Sequence, residues 1–305
     1  MQEDLIITGG TGMVGSAFKS VCPLSKYPSR AELKSMSFDV ENKKIIHLAA
    51  KVGGIGANMA QMAEFYYENS LLNQKILHHS YQNSAKKVIS LLSTCIYPSK
   101  NFVKYPLTED QLHKGPPHSS NYGYAYSKRM VDVMSRAYRK QYGCNFITAV
   151  PNNLFGENDN FDLEDSHVIP ALIRKVWEAK INKKASIQCW GDGTPLREFT
   201  YSGDIVKILL FLMDNYDGED PVNIGNTEEF SIKEVVNSIC QIMEYDGKIE
   251  WQTNRPNGQH RKPSDNNKLV NLGWDVKNYT PFHEALKKTC NWFILKYPQV
   301  RGVEK

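Results

Sequence analysis

Two short segments concentrate side chains that can do chemistry: Leu92-Ser93-Thr94-Cys95-Ile96-Tyr97-Pro98 and Tyr124-Ala125-Tyr126-Ser127-Lys128. Together they bring a hydroxyl, a thiol, a phenol and an ammonium. Tyr124 and Lys128 are four apart and so share one face of a helix. A free phenol titrates near ~10, too high to exchange protons readily at neutral pH. A neighbouring ammonium favours the phenolate and lowers that value. A Ser, Tyr and Lys set of this kind can bind a carbonyl oxygen and pass it a proton. Cys95, two places after Ser93, adds a group suited to deprotonating a carbon acid.

These residues need a scaffold, and the apolar pattern supplies one. Leu5-Ile6-Ile7-Thr8, the runs at 44–50 and 87–93, and Phe146-Ile147-Thr148-Ala149-Val150 are near-continuous apolar segments. Strands this apolar are buried on both faces, as in parallel sheets. Helical stretches lie between them, notably Asn58–Gln82 and Tyr124–Gln141. The alternation predicts an α/β fold, a Rossmann-type doubly wound parallel sheet with a smaller α/β substrate-binding domain. Residues 1–150 plus about 201–225 form the first domain. Residues 151–200 plus about 226–305 form the second, where loops rich in Asn, Gly and Asp separate helices at 166–179 and 231–244.

Composition narrows the function classes. A formal charge of +4 over 305 residues, with no run of like charge, argues against nucleic acid and suits a pocket for a small anion. No apolar run approaches the ~18 residues of a membrane span. The acidic start leads straight into a strand with no secretory signal, so a cytoplasmic location is expected. Six cysteines lie far apart without metal-ligand spacing; reduced thiols and no metal are expected.

Gly9, Gly12 and Gly15 form G-x-x-G-x-x-G after a strand and at the head of a helix. Glycines there let the backbone approach a pyrophosphate, and the helix N-terminus supplies amide donors and partial positive charge. In such units a carboxylate about 20 residues on binds the NAD ribose, whereas an Arg suits a 2′-phosphate. Lys26-Tyr27-Pro28-Ser29-Arg30 carries no carboxylate. Ser29 and Arg30 therefore read as a 2′-phosphate clamp, and NADPH/NADP+ is the expected cofactor. Asp39 is better placed for the adenine.

With the glycine turn upstream, a serine at a strand end and YxxxK on the helix, the chain resembles the extended short-chain dehydrogenase/reductase family. That resemblance implies Ser93, Tyr124 and Lys128 as the catalytic set. It places Met13, Val14, Leu48, Ala49 and Ala50 beside the cofactor, with Tyr124 and Lys128 also touching it. Leu48-Ala49-Ala50-Lys51-Val52-Gly53-Gly54-Ile55, Asp159-Asn160-Phe161, Ser166-His167-Val168-Ile169-Pro170-Ala171-Leu172 and the run from Trp190 to Phe199 narrow it further. They match members that epimerise a GDP-linked 4-keto-6-deoxy sugar at C3 and C5 and then reduce C4. In those members a cysteine and a histidine move the C3 and C5 protons, which implies those roles for Cys95 and His167. The same resemblance implies diphosphate contacts at Lys175, Arg197 and Lys262, and a substrate lining of Asn153, Val168 and Trp190. Lys175 keeps a charge but lacks the bidentate fork of an arginine. Arg197 has an alternative as an ion-pair partner of Glu198. The relatives are homodimers built on two helices per subunit. Two other readings stay open: a UDP- or dTDP-sugar epimerase, dehydratase or reductase, and a non-catalytic dinucleotide sensor. Thr94-Cys95 stands where the dehydratases carry an Asp-Glu pair, and a sensor has no need of the catalytic set.

Overall fold

The computed structural model describes residues 2–254 and 260–303. In chain order the strands are β1 (Leu5–Thr8), β2 (Lys44–His47), β3 (Lys87–Leu91), β4 (Phe146–Pro151), β5 (Asn153–Phe155), β6 (Ser186–Trp190), β7 (Leu196–Tyr201), β8 (Val222–Ile224), β9 (Glu229–Ser231) and β10 (Lys248–Gln252). The helices are α1 (Met13–Val21), α2 (Arg30–Ser35), α3 (Ile55–Ala60), α4 (Met62–Gln82), α5 (Tyr122–Tyr142), α6 (Val168–Ile181), α7 (Ser202–Asn215), α8 (Ile232–Ile242), α9 (Asn267–Asn271) and α10 (Phe282–Lys296).

Five strands make one parallel sheet in the order β1-β2-β3-β4-β8. Ile6 also bridges Lys26 in parallel, through Ile7 N to Lys26 O and Lys26 N to Leu5 O. The chain thus leaves β1 for one neighbour and returns to its other side at β2. Such a reversal opens a crevice at the carboxyl ends of the strands, where ligands of doubly wound sheets bind.

Alternation along each strand sends residues to two cores. Leu5, Ile7, Ile46 and Ile89 meet Val14 and Phe18 of α1 and Ile205, Leu209 and Leu212 of α7. Ile6, Ile45 and Val88 face Ile76 and Leu77 of α4 and Val131 of α5. With both faces covered, neighbouring positions along a strand can both be apolar, which is why the runs read as near-continuous. A third core gathers Phe155, Ile173, Val176, Phe199, Val235, Ile239, Phe282 and Phe293 around the smaller sheets β5-β7-β9 and β6-β10. Leu269 and Trp274 rejoin the α1–α7 core, so the chain returns to the first layer again within the last forty residues.

Two helix boundaries differ from expectation, and both shape the site. The helix expected over Asn58–Gln82 is two, α3 and α4, because Gln61 leaves the helical region (φ −123°, ψ 41°). Asn58 turns its amide back to the carbonyls of Gly53 (2.8 Å) and Gly54 (2.9 Å), tying α3 to the loop after β2. The helix expected from Ser166 begins at Val168, and His167 is its N-cap in extended backbone.

Candidate active site

The glycine turn fits a dinucleotide by what its glycines do and do not touch. A Cβ on Gly9 (φ +77°) would lie 2.8 Å from Ala49 N, and one on Gly15 would lie 2.2 Å from Gly9 O. The fold itself requires those two glycines. Gly12 is different: a Cβ there would meet only Gly9 O, at 3.4 Å, so its bareness leaves space open to a ligand. Gly12 is the N-cap of α1 and provides no side-chain cap, so the first-turn amides are available to an anion. Thr8 closes the back of the turn, its hydroxyl accepting from the amides of Leu48 and Ala49 at 3.1 Å each.

The two residues of the expected 2′-phosphate clamp adjoin at the start of α2. Ser29 is committed to a capping box, its hydroxyl accepting from Glu32 N (3.2 Å) and its amide donating to Glu32 Oε2 (2.8 Å). Arg30 starts α2 and stays exposed, with no ion pair among the described residues. Asp39 is exposed and accepts from Glu41 N at 3.0 Å, leaving its second oxygen to solvent.

At the end of β3, Ser93 caps a short turn over Thr94–Ile96 and accepts from Cys95 N at 3.3 Å. The half-buried Cys95 is thereby held beside the serine. Arg129 on α5 grips the same turn, donating to Ile96 O (3.0 Å) and Gly115 O (2.8 Å). Lys128, almost fully buried, donates to Leu91 O at 2.8 Å, and burial pushes its ammonium down to about 8. Tyr124 lies near Ser93 and Cys95 with its ring edge-on to Phe65. Here the structure corrects the sequence argument. Burial, and then the neighbouring Cys95, push the phenol well above its ordinary value, with only the Ser93 hydroxyl pulling it back. Lys128 donates one of its three N–H groups to Leu91 O and is not among the groups that shift Tyr124. Without cofactor, Tyr124 is a protonated donor at neutral pH.

The segment before His167 packs on the loop after β2. Gly54 N donates to Asp165 O (2.9 Å), and a Cβ on Gly54 would stand 2.7 Å from Ser166 O. The Gly53-Gly54 pair thus lets the segment bearing His167 lie directly on the dinucleotide layer. His167 is exposed and lies close enough to the buried carboxyl of Asp159 to oppose the burial that raises it. Cys95 and His167 make no hydrogen bond to each other.

The cationic residues divide. Arg197 and Lys262 both sense Cys95, and desolvation lowers both. Arg197 donates to Leu196 O (2.7 Å) and His260 O (3.4 Å). Its suggested ion pair with Glu198 does not form, because neighbouring positions on β7 point to opposite faces. Glu198 is buried and accepts instead from Ser264 N (2.8 Å), Ser264 Oγ (2.6 Å) and Asn152 Nδ2 (3.3 Å). Lys175 lies further out, over the ring of the exposed Trp190 (5.9 Å) and bonded to Gln188 O (3.2 Å). Asn153 donates to Glu198 O at 2.8 Å, and Val168 opens α6 beside His167.

The sequence argument missed the polar residues beneath the site: Thr8, His47, Asn73 and Arg129. One signal was available. Thr8 and His47 are polar residues that follow Ile-Ile pairs at the ends of β1 and β2, and they are register partners across the β1–β2 ladder.

With this geometry, the comparisons are specific. A family model described as NAD dependent epimerase/dehydratase family matches residues 26–225. The GDP-L-fucose synthase of Dictyostelium discoideum is 38% identical, covering 98% of each chain. That of Sinorhizobium fredii is 37% identical over 94% of each. The crystal structure of a GDP-L-fucose synthetase from Naegleria fowleri bound to NADP superposes with a TM-score of 0.90 at 37% identity, covering 99% of this chain and 96% of that one. The chain belongs to the NAD dependent epimerase/dehydratase family and, within it, to the GDP-L-fucose synthase group.

Proposed function

We propose that this chain converts GDP-4-keto-6-deoxy-D-mannose to GDP-L-fucose with NADPH, by epimerisation at C3 and C5 followed by reduction at C4. The observation that carries this is the meeting of the Ser93–Cys95 turn with Tyr124 and Lys128 at the end of β3, beside the crevice of the glycine turn. Gly9, Gly12, Met13, Val14, Gly15, Arg30, Asp39 and Leu48–Ala50 would hold the cofactor, which supplies the hydride when bound.

The C4 ketone acidifies the hydrogens on C3 and C5. Cys95 and His167 exchange those protons, one group removing and the other returning, while Ser93 and Tyr124 hold the oxygen that gathers charge. For reduction, Tyr124 gives its proton to the C4 oxygen. Its raised phenol value keeps that proton in place until charge develops on the sugar. Lys128 carries a positive charge below about pH 8 and so orients the cofactor ribose. Arg197 and Lys262 serve the diphosphate near the catalytic end and Lys175 its far end, with Asn153, Val168 and Trp190 lining the sugar nucleotide.

Assembly and location belong to the same reading. Tyr66, Tyr67 and Leu71 on α4, with Met130 and Val133 on α5, are large apolar side chains left exposed. A homodimer that buries this face in the cytosol accounts for them. No described helix is long and apolar enough to cross a membrane. The test is to mix purified protein with NADPH and GDP-4-keto-6-deoxymannose and follow the nicotinamide absorbance. Equal turnover of UDP- or dTDP-4-keto sugars would replace the GDP assignment, and no turnover of any would favour a sensor.

A further inference from the structure

A polar row crosses the apolar parallel sheet just below the site. Thr8, His47, Ser90 and Thr148 are successive register partners on β1, β2, β3 and β4, and all four are buried. Three of them are tied into side-chain hydrogen bonds. His47 is 1% exposed, with Nδ1 2.8 Å from Thr8 Oγ1 and Nε2 2.9 Å from Asn73 Oδ1 on α4. Asn73 Nδ2 donates to Ser127 O at 3.3 Å, on α5 next to Lys128.

Proton bookkeeping gives this chain of bonds one direction. A hydroxyl has two lone pairs and one proton. Thr8 Oγ1 already accepts from two backbone amides, Leu48 and Ala49, so both lone pairs are engaged. Its proton must therefore point at His47 Nδ1, which must be an acceptor. The imidazole proton then sits on Nε2 and donates to Asn73 Oδ1. That orientation leaves the Asn73 amide to donate to Ser127 O, as observed. Flipping Asn73 would face one carbonyl with another. A second proton on the ring would aim Nδ1–H at an oxygen with no lone pair free. Burial and the nearby Lys128 ammonium act the same way, pushing His47 down to about 4 against the pull of Asn73.

We propose that His47 is a positioning residue for the reduction. As a neutral imidazole protonated on Nε2, it links the Thr8 hydroxyl behind the glycine turn, through Asn73, to the α5 backbone beside Lys128. This linkage fixes the spacing between the dinucleotide crevice and the Tyr124–Lys128 face. No other side chain bridges those two elements through paired donors and acceptors in this direction among the described residues. The role at the reaction rests on the proposed NADPH-dependent activity, whereas the bonding direction does not.

Long-range proton–nitrogen NMR on cofactor-free protein labelled with 15N-histidine tests the direction, with His47 assigned by its loss in a variant. A neutral ring protonated on Nε2 down to about pH 5 is expected. An Nδ1–H tautomer, or an imidazolium at pH 6, overturns the proposal. Two substitutions test the role. His47→Gln keeps an acceptor toward Thr8 and a donor toward Asn73, whereas His47→Leu keeps bulk and loses both. Loss of one such neutral link corresponds to about tenfold. His47→Leu is expected to weaken NADPH binding about tenfold and lower kcat by at least as much, with His47→Gln restoring both to within about threefold. A folded His47→Leu protein with wild-type NADPH affinity and kcat refutes the role. Wild-type protein that binds NADPH but turns over no keto sugar refutes the proposed activity instead, and the NMR and NADPH-binding comparisons still decide the linkage.

Discussion

At the scale of single residues, the proposed activity assigns two chemistries on one ketone to two different elements. Cys95 sits on a turn held by Ser93 and Arg129, whereas Tyr124 and Lys128 ride on α5. Different substitutions should therefore damage different steps. Cys95→Ser replaces a thiol with a hydroxyl of much higher pKa, so proton exchange at C3 and C5 should fall ~10²–10⁴-fold while some reduction of the unepimerised ketone persists. Tyr124→Phe should do the reverse, taking up deuterium from solvent while consuming little NADPH. Normal exchange in Cys95→Ser would leave the cysteine a packing residue. Lys128 gives a pH prediction. Burial sets its ammonium at about 8, so it is charged below that pH and neutral above it. NADPH affinity should fall as pH rises through 8, and Lys128→Met should bind weakly and lose this dependence, read by cofactor fluorescence. Arg30 gives a third. It is the cation of the expected clamp, and a charge-assisted phosphate contact contributes about 1.5–3 kcal/mol. Arg30→Ala should narrow the NADPH-over-NADH preference roughly tenfold to a hundredfold; an unchanged ratio of dissociation constants would place the selectivity elsewhere.

At the scale of elements, α5 does three jobs on three faces. Tyr124 and Lys128 meet the end of β3, Val131 and Ser135 are buried against the sheet, and Met130 and Val133 face outward. Its neighbour α4 buries Phe65, Asn69, Asn73, Ile76 and Leu77 and leaves Tyr66, Tyr67 and Leu71 exposed. A helix that is apolar on more than one side signals a second partner. Met130→Glu combined with Tyr67→Glu should therefore convert dimer to monomer in light scattering at micromolar concentration. Wild-type protein already monomeric there would remove the dimer from this account. The proposed dimer face and the proposed catalytic face share α5, so the monomeric variant should also lose activity.

At the scale of the whole molecule, buried ionisable groups link stability to pH in opposing directions. Burial raises the carboxyls of Glu109, Asp159 and Glu198, so their protonation favours the folded state as pH falls. His47 acts the other way. Its folded value of about 4 lies below the 6.5 of an unfolded histidine. Between those values the unfolded chain binds more protons, so the His47 contribution is intact above pH 6.5 and is lost as pH falls toward 4. The full loss is about 3 kcal/mol. A wild-type Tm that drops more steeply than that of His47→Gln between pH 6.5 and 4 is expected in calorimetry. Parallel curves would mean that His47 is not desolvated.

What was legible in the sequence is what depends on local order. Apolar runs broken by a glycine turn specify parallel strands and a dinucleotide crevice. YxxxK places two side chains on one helix face wherever that helix packs. The capping box at Ser29 was legible too, in the spacing of Ser29 and Glu32. Tertiary structure decided the rest, because those properties depend on neighbours distant in the chain. Lys128 lies 37 residues from Leu91, whose carbonyl accepts its hydrogen bond, and burial of Tyr124 by neighbours distant in the chain outweighs the expected lowering. Glu198 finds Ser264 66 residues away and leaves Arg197 free to face Cys95. His47 looks like one polar residue in an apolar strand until the β1–β2 register sets it against Thr8 and the packing of α4 brings up Asn73. Residue type sets which protons can move; only folding sets which lone pairs are already taken.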